Sequence, residues 1–155
     1  MIGQGRRLKG TIIKSGTVVT LIFILTLAGC ASISLISEYD RETDVAVTAF
    51  QKKMERFLIF LERNIGKEEA EYKNNAGFYD GIKVDLSAIR VRGVAIPKNE
   101  ITLQQIDLLI ENVNNLERIH KLGITHEDIP PLRTAFNESC TAILKLELAK
   151  RRSRH

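Results

Sequence analysis

The two side chains with the clearest metal-binding spacing are Glu117 and His120, which form a Glu-x-x-His motif. On a helix this spacing places both side chains on one face, as in the di-iron sites of helical bundles. Such a site also needs a second Glu-x-x-His motif and two further inward glutamates, and no other predicted helix supplies the second motif. We therefore expect His120 to be a partly buried residue near a helix C-terminus. His126, which lies beside Glu127 and Asp128, is expected to be solvated.

Other patterns that support catalysis or cofactor binding are missing from the sequence. It contains no Gly-x-Ser-x-Gly, no Gly-x-x-x-x-Gly-Lys-Ser/Thr and no Cys-x-x-Cys. After residue 30, Met54 is the one methionine that could ligate a haem iron. Cys140 has Ser139 and Thr141 as sequence neighbours and no sign of a paired base. The sequence therefore predicts no enzyme, no metal site and no cofactor.

The N-terminal residues are arranged like an export signal. Positive charges occur before position 15, an apolar run fills positions 18–27, and two small residues follow. A positive start, an apolar stretch of this length and small residues at the junction together describe a signal peptide. The positive residues are Arg6, Arg7, Lys9 and Lys14.

The last four residues of this segment, Leu27-Ala28-Gly29-Cys30, resemble the lipobox of bacterial lipoproteins. This resemblance implies cleavage between Gly29 and Cys30 and a diacylglycerol on the Cys30 sulfur. The mature protein would then be anchored in the cell envelope by its lipid and face the periplasm. Ala31 follows the cysteine where inner-membrane lipoproteins carry an aspartate, so the outer membrane is favoured if the source is a diderm bacterium.

An uncleaved membrane anchor is the alternative interpretation of the same segment. No charged residue occurs from Ser15 to Ser37, and these 23 residues are enough to span a bilayer. The strongly apolar part ends at Leu27, however, and small or polar residues follow it, which favours the signal peptide. Both interpretations send the remainder of the chain across the membrane.

The net positive charge of the whole chain comes from this N-terminal segment. The chain has 23 Lys and Arg against 19 Asp and Glu, and four of the basic residues precede position 30. The remaining 126 residues therefore carry no net charge, and nucleic-acid binding is not expected. A basic C-terminal tail is expected to be solvated at a helix end, with contact to anionic headgroups as the alternative. The tail consists of Lys150, Arg151, Arg152, Arg154 and His155.

Apolar residues at three- and four-residue spacing predict four helices. The first begins near Asp40 and stops at Asn64 and Gly66. The third begins with a capping box, Thr102-Leu103-Gln104-Gln105, with Ile101 and Ile106 as a hydrophobic staple, and ends at Gly123. The fourth opens at Asp128-Ile129-Pro130-Pro131, because proline is tolerated in the first turn of a helix.

The second segment, residues 67–96, is ambiguous in its periodicity. We expect Asn74-Asn75-Ala76-Gly77 to interrupt it and Pro97 to end it. Alternation around Ile82-Lys83-Val84-Asp85-Leu86 favours a strand, but it changes phase at Ala88-Ile89, so we predict a helix. Gly77 and Gly81 form a Gly-x-x-x-Gly pair that permits close helix approach.

Four helices joined by short loops predict an all-α fold, an antiparallel bundle of about four helices. We divide the chain into a signal peptide (1–29), a lipidated tether (30–38) and one helical domain (39–155). Cys140 falls on the apolar face of the fourth helix, so we expect a buried thiol and a monomer. The predicted core contains Ala46, Phe50, Met54, Phe57, Leu61, Ile82, Leu86, Ile89, Ile106, Leu109, Val113, Leu116, Phe136, Ile143 and Leu146.

Two functional classes remain open. The first is a structural or interaction protein, with the membrane and another envelope protein as its partners. The second is a carrier of a small hydrophobic ligand, which requires about 300 Å³ or more of concave space. An exposed apolar patch would favour the first class, since such patches mark partner sites.

Overall fold

The computed structural model of this protein describes residues 36–152, which form an all-α bundle of four helices. Each helix has 24 residues, so each is about 36 Å long. The predicted signal peptide, Cys30, Arg154 and His155 lie outside the described residues. The helices are α1 (Arg41–Asn64), α2 (Tyr72–Ala95), α3 (Glu100–Gly123) and α4 (Ile129–Arg152), and short 3-10 helices occur at Glu68–Ala70 and His126–Asp128.

Successive helices run antiparallel, and α1 also packs against α4, so the four helices form a closed ring. Between α1 and α2, the ion pair of Asp40 with Arg92 lies near one end, and that of Lys53 with Asp85 lies further along. Because the residue number rises on one side as it falls on the other, these two helices are antiparallel. This is the bundle topology that the short predicted loops indicated.

The core is close to the predicted one. Of the fifteen predicted core residues, thirteen are buried, whereas Ala46 and Leu146 are partly buried. The prediction missed residues beside the main stripe of each helix, because a closed bundle covers more than one narrow face. These additional buried residues include Val47, Tyr79 and Ile129.

Most of the predicted helix ends are confirmed. Asp40 caps α1, and its carboxylate accepts hydrogen bonds from the Thr43 backbone N–H at 3.0 Å and from the Thr43 hydroxyl at 2.6 Å. Gly66 follows α1 with φ +84°, a backbone conformation that favours glycine. Pro130 lies in the first turn of α4, as expected.

The prediction that residues 74–77 interrupt the second segment is wrong, because α2 runs through them without a break. Asn74 and Asn75 lie in its first turn. Their side-chain amides donate to backbone carbonyls of the preceding 3-10 helix, to Glu68 at 2.8 Å and to Glu69 at 2.7 Å. The asparagines therefore satisfy exposed carbonyl groups at the helix start, a role that asparagine commonly has at helix ends and turns.

The predicted start of α3 is also wrong. The helix begins at Glu100, with Asn99 in the N-cap position, so Thr102 lies inside the helix and Ile101 is exposed. Thr102 is buried, and its hydroxyl accepts a hydrogen bond from Lys150 on α4 at 2.8 Å. The Thr102 side chain therefore forms a tertiary contact with α4 instead of the N-cap that the local sequence pattern predicted.

Candidate functional site

Glu117 is buried near the C-terminal end of α3 and forms ion pairs with two lysines. Its carboxylate binds Lys121, one helical turn later, at 2.9 Å and Lys83 on α2 at 2.5 Å. The hydroxyl of Tyr72 donates to the same carboxylate at 2.8 Å. The hydrogen bond from Lys121, and then that from Lys83, lowers the pKa of Glu117 to about 2. Glu117 therefore acts as an anionic link between α2 and α3.

His120 lies on the same face as Glu117, but it binds different groups. Its Nε2 atom lies 2.5 Å from the backbone carbonyl oxygen of Ala70, and its Nδ1 atom lies 2.8 Å from the hydroxyl of Tyr79. A carbonyl accepts hydrogen bonds and cannot donate them, so Nε2 carries a proton. Burial raises the pKa of Tyr79, which keeps its phenol protonated. Both ring nitrogens of His120 are thus engaged, and the ring fixes the 3-10 helix to the bundle.

The structure does not bring the remaining candidate ligands to this pair. His126 is exposed in the connection before α4. Among residues 36–152, no group of three or more His, Cys, Asp and Glu side chains is placed to hold a metal ion.

Cys140 is buried on the inner face of α4, as expected from its spacing, and is 1 % exposed. Burial raises the pKa of its thiol to about 12. Phe136 and Ile143, one turn away on either side, are also buried. The thiol therefore belongs to the packed interior.

A buried polar cluster at the opposite end of the bundle was missed by the sequence analysis. Lys150, expected to be solvated, is 5 % exposed and forms an ion pair with Glu147. Its ammonium also donates to the side-chain oxygens of Asn99 and Thr102, each at 2.8 Å. The second carboxylate oxygen of Glu147 accepts from the backbone N–H of Asp40 at 3.0 Å. We refer to these five residues as the basal cluster.

An open cleft of about 580 Å³ lies at the end of the bundle that contains His120. The connection between α1 and α2 forms one wall, and the C-terminal end of α3 forms the other. Its lining includes apolar side chains, such as Ile65 and Leu122, and charged ones, such as Lys67 and Lys121. The cleft meets the volume criterion set for a ligand carrier, although it is open to solvent.

The outer face of α2 carries an apolar stripe that no other described element covers. Val84 and Val91 are 67 % and 68 % exposed, and the other members of the stripe are exposed as well. A Cβ added at Gly77 or Gly81 would contact nothing within 4 Å, which confirms that the surface is open there. The α2 stripe consists of Gly77, Gly81, Val84, Ala88, Val91 and Ala95.

The spacing of the α2 stripe is the spacing of a coiled-coil seam. Its members alternate four and three residues apart, a seven-residue repeat that extends over about 27 Å of helix. Ala88 also borders a groove of about 400 Å³ between α1 and α2, where Ala46 and Ala49 line the opposite wall. The small side chains leave room for an approaching helix.

Within residues 36–152, none of the helices is both long enough and apolar enough to cross a bilayer. No family model, no curated protein and no solved structure matches this chain.

Proposed function

We propose that this protein is a lipid-anchored scaffold of the bacterial cell envelope, in which the bundle faces the periplasm and binds another envelope protein. Leu27-Ala28-Gly29-Cys30 supports the anchor through its resemblance to a lipobox. The α2 stripe supports the interaction. The role is non-catalytic: the bundle positions its partner near the membrane.

The α2 stripe is the observation that carries this proposal. An isolated exposed valine is ordinary, but a continuous apolar face on one helix marks a partner site. The seven-residue repeat suits a second amphipathic helix, which would pack its own apolar seam between Val84 and Val91. The partner is therefore an envelope protein with an exposed amphipathic helix.

The interaction is tested by crosslinking in cells at natural expression, followed by purification of this protein. We expect the wild type to carry a crosslinked partner, and V84D/V91D to lose it because two carboxylates in the seam would be desolvated. The matched control is T134D/T141D, since both threonines are exposed on α4 away from the stripe. A wild type recovered as monomer alone, or a partner retained by V84D/V91D, contradicts the proposed interaction.

The anchor is tested by metabolic labelling with palmitate. We expect the wild type to be labelled and Cys30→Ser to be unlabelled, because the thiol is the site of lipid attachment. Label that persists in Cys30→Ser overturns the lipobox interpretation. A wild type that lacks label yet remains in the membrane fraction identifies the uncleaved anchor instead.

A ligand carrier is the second candidate, and the 580 Å³ cleft beside His120 favours it. The lining contains three lysines, Lys67, Lys73 and Lys121, and one carboxylate, Glu71, which pairs with Lys73 at 2.9 Å. The net charge of the lining is therefore positive, and with Leu122 beside it an amphipathic anion such as a fatty acid is the fitting guest. We expect a carrier to bind a fluorescent fatty acid saturably and Leu122→Asp to weaken that binding, whereas Val84→Asp retains it. Absence of saturable binding excludes the carrier.

A further inference from the structure

Residues 37–40, which connect the N-terminal segment to α1, bind one end of the bundle. Ser37 is buried, its backbone N–H donates to the carbonyl of Lys98 at 2.8 Å, and its hydroxyl donates to Asn99 at 2.9 Å. Three residues later, Asp40 binds Arg92 through two hydrogen bonds of 2.6 Å each. Although Ser37 falls within the predicted tether, the structure packs it against the connection between α2 and α3.

The distance between the lipid and this point is limited by covalent geometry. Ser37 is seven Cα–Cα steps after Cys30, and a fully extended chain of seven steps reaches about 25 Å. The helices are about 36 Å long. With a lipid on Cys30, this reach would limit how far Ser37 and the neighbouring basal cluster can lie from the membrane. Leu122 lies at the other end of α3, about one helix length from that cluster.

The same end exposes apolar side chains. Ile36 is 37 % exposed, Ile101 in the first turn of α3 is 51 % exposed, and Val94 in the last turn of α2 is 58 % exposed. Ile36 and Ile101 line one small pocket. The exposed charged residues at this end include the basic Arg41, Lys98, Arg151 and Arg152 and the acidic Glu38, Glu42 and Glu100.

We infer that this end of the bundle rests on the anionic membrane surface that holds the Cys30 lipid, with Ile36, Val94 and Ile101 in the headgroup region. The inference rests on the proposed lipid anchor. Apolar side chains gain from burial at that depth, and nearby basic side chains are attracted to anionic headgroups. The α2 stripe, on the side of the bundle, is then presented to partners along the membrane plane.

Single tryptophans test the inference, because the natural sequence contains none. Ile101→Trp and Val94→Trp mark the proposed membrane end, Val84→Trp marks the middle, and Leu122→Trp marks the far end. All four positions are exposed, so the substitutions leave the core intact. The full-length protein is purified from membranes, and mass spectrometry establishes whether Cys30 carries the lipid. It is then placed in vesicles of phosphatidylethanolamine and phosphatidylglycerol that contain brominated phosphatidylcholine.

We expect the brominated lipid to quench Ile101→Trp and Val94→Trp severalfold more strongly than Val84→Trp and Leu122→Trp. Lipidated protein in which Ile101→Trp is not quenched, or in which Leu122→Trp is quenched equally, overturns the inference and leaves the anchor intact. Protein without lipid on Cys30 contradicts the proposed anchor itself, and the inference then fails with it. The mass of the purified protein therefore distinguishes failure of the membrane contact from failure of the lipid anchor.

Discussion

Lys150 is the residue at which local sequence and tertiary structure disagree most. It precedes Arg151 and Arg152, and a basic run at a helix end is normally solvated. In the bundle its ammonium faces inward, where the carboxylate of Glu147 and the oxygens of Asn99 and Thr102 surround it. Glu147 and Lys150 lie three residues apart on α4, a spacing that marks a possible ion pair but not its burial. Burial depends on α3 and on residues 37–40, which the α4 sequence does not encode.

Replacing Lys150 by Met should lower the free energy of unfolding by about 3 kcal/mol, because Glu147 is then left as a buried, incompletely paired charge. Urea unfolding measures the loss. Arg152→Met is the matched control and should change stability by less than about 0.5 kcal/mol, since Arg152 is exposed. The double variant E147L/K150M should recover most of the loss. A single variant as stable as the wild type would show that the pair does not form.

Glu117 should make stability depend on pH in acid. Its pKa is about 2 in the folded protein against 4.5 ordinarily, so the carboxylate stabilises the fold above pH 4.5. That contribution is lost as the pH falls from 4.5 towards about 2, because the group must then take up a proton. The side chain of Glu117→Gln cannot titrate, so the variant does not lose this contribution in acid. As the pH falls from 4.5 towards about 2, the difference in the free energy of unfolding between the wild type and the variant should therefore shrink. Urea unfolding at several pH values measures both, and a constant difference contradicts the assignment.

At the scale of the helix, the two apolar faces of α2 explain why its sequence fitted both a helix and a strand. Ile82, Leu86 and Ile89 face the core, whereas Val84 and Val91 face solvent. Apolar residues on both faces produce the local alternation that resembles a strand. The sequence therefore contained the signal of the α2 stripe, but a single sequence does not tell which apolar face is covered.

The glycines of the α2 stripe should limit the stability of α2. Gly81→Ala adds a methyl group that meets nothing within 4 Å, so it should raise the free energy of unfolding by about 0.5–1 kcal/mol. Gly66→Ala is the opposing control, because φ is +84° there and alanine is strained in that conformation. Thermal and urea unfolding compare the two variants. Destabilisation by Gly81→Ala would contradict an open helix surface at this position.

The sequence predicted all four helices but placed some of their boundaries wrongly, and Thr102 and the Asn74–Asn75 pair show the physical reasons. The period of the buried residues identified all four helices, since amphipathic burial dominates helix formation in a bundle. Thr102 was wrongly predicted to be an N-cap because its hydroxyl binds Lys150, 48 residues away on α4. Capping patterns take into account only residues that are close in sequence. Asn74 and Asn75 were read as breakers, although asparagine in a first turn satisfies carbonyl groups.

At the scale of the whole molecule, Cys140 bears on whether copies of the protein can be joined covalently. Its thiol is 1 % exposed, and its pKa of about 12 leaves almost no thiolate near neutral pH. We expect a monomer on non-reducing gels and slow reaction with thiol reagents until urea unfolds the bundle. A reducible dimer from envelope extracts would overturn the burial and place Cys140 at an interface.

The contacts of residues 37–40 determine how mechanical force enters the molecule. Tension between the membrane and a partner would reach the bundle at Ser37 and pass through Asp40 to Arg92 on α2 and Glu147 on α4. These hydrogen bonds are made by Asp40, immediately before α1, so they would bear the load before the helix does. Without Arg92 and Glu147, the same pull would act directly on the first turn of α1. In a lipid-anchored protein, residues 37–40 would therefore divide tension between α2 and α4 before it reaches α1.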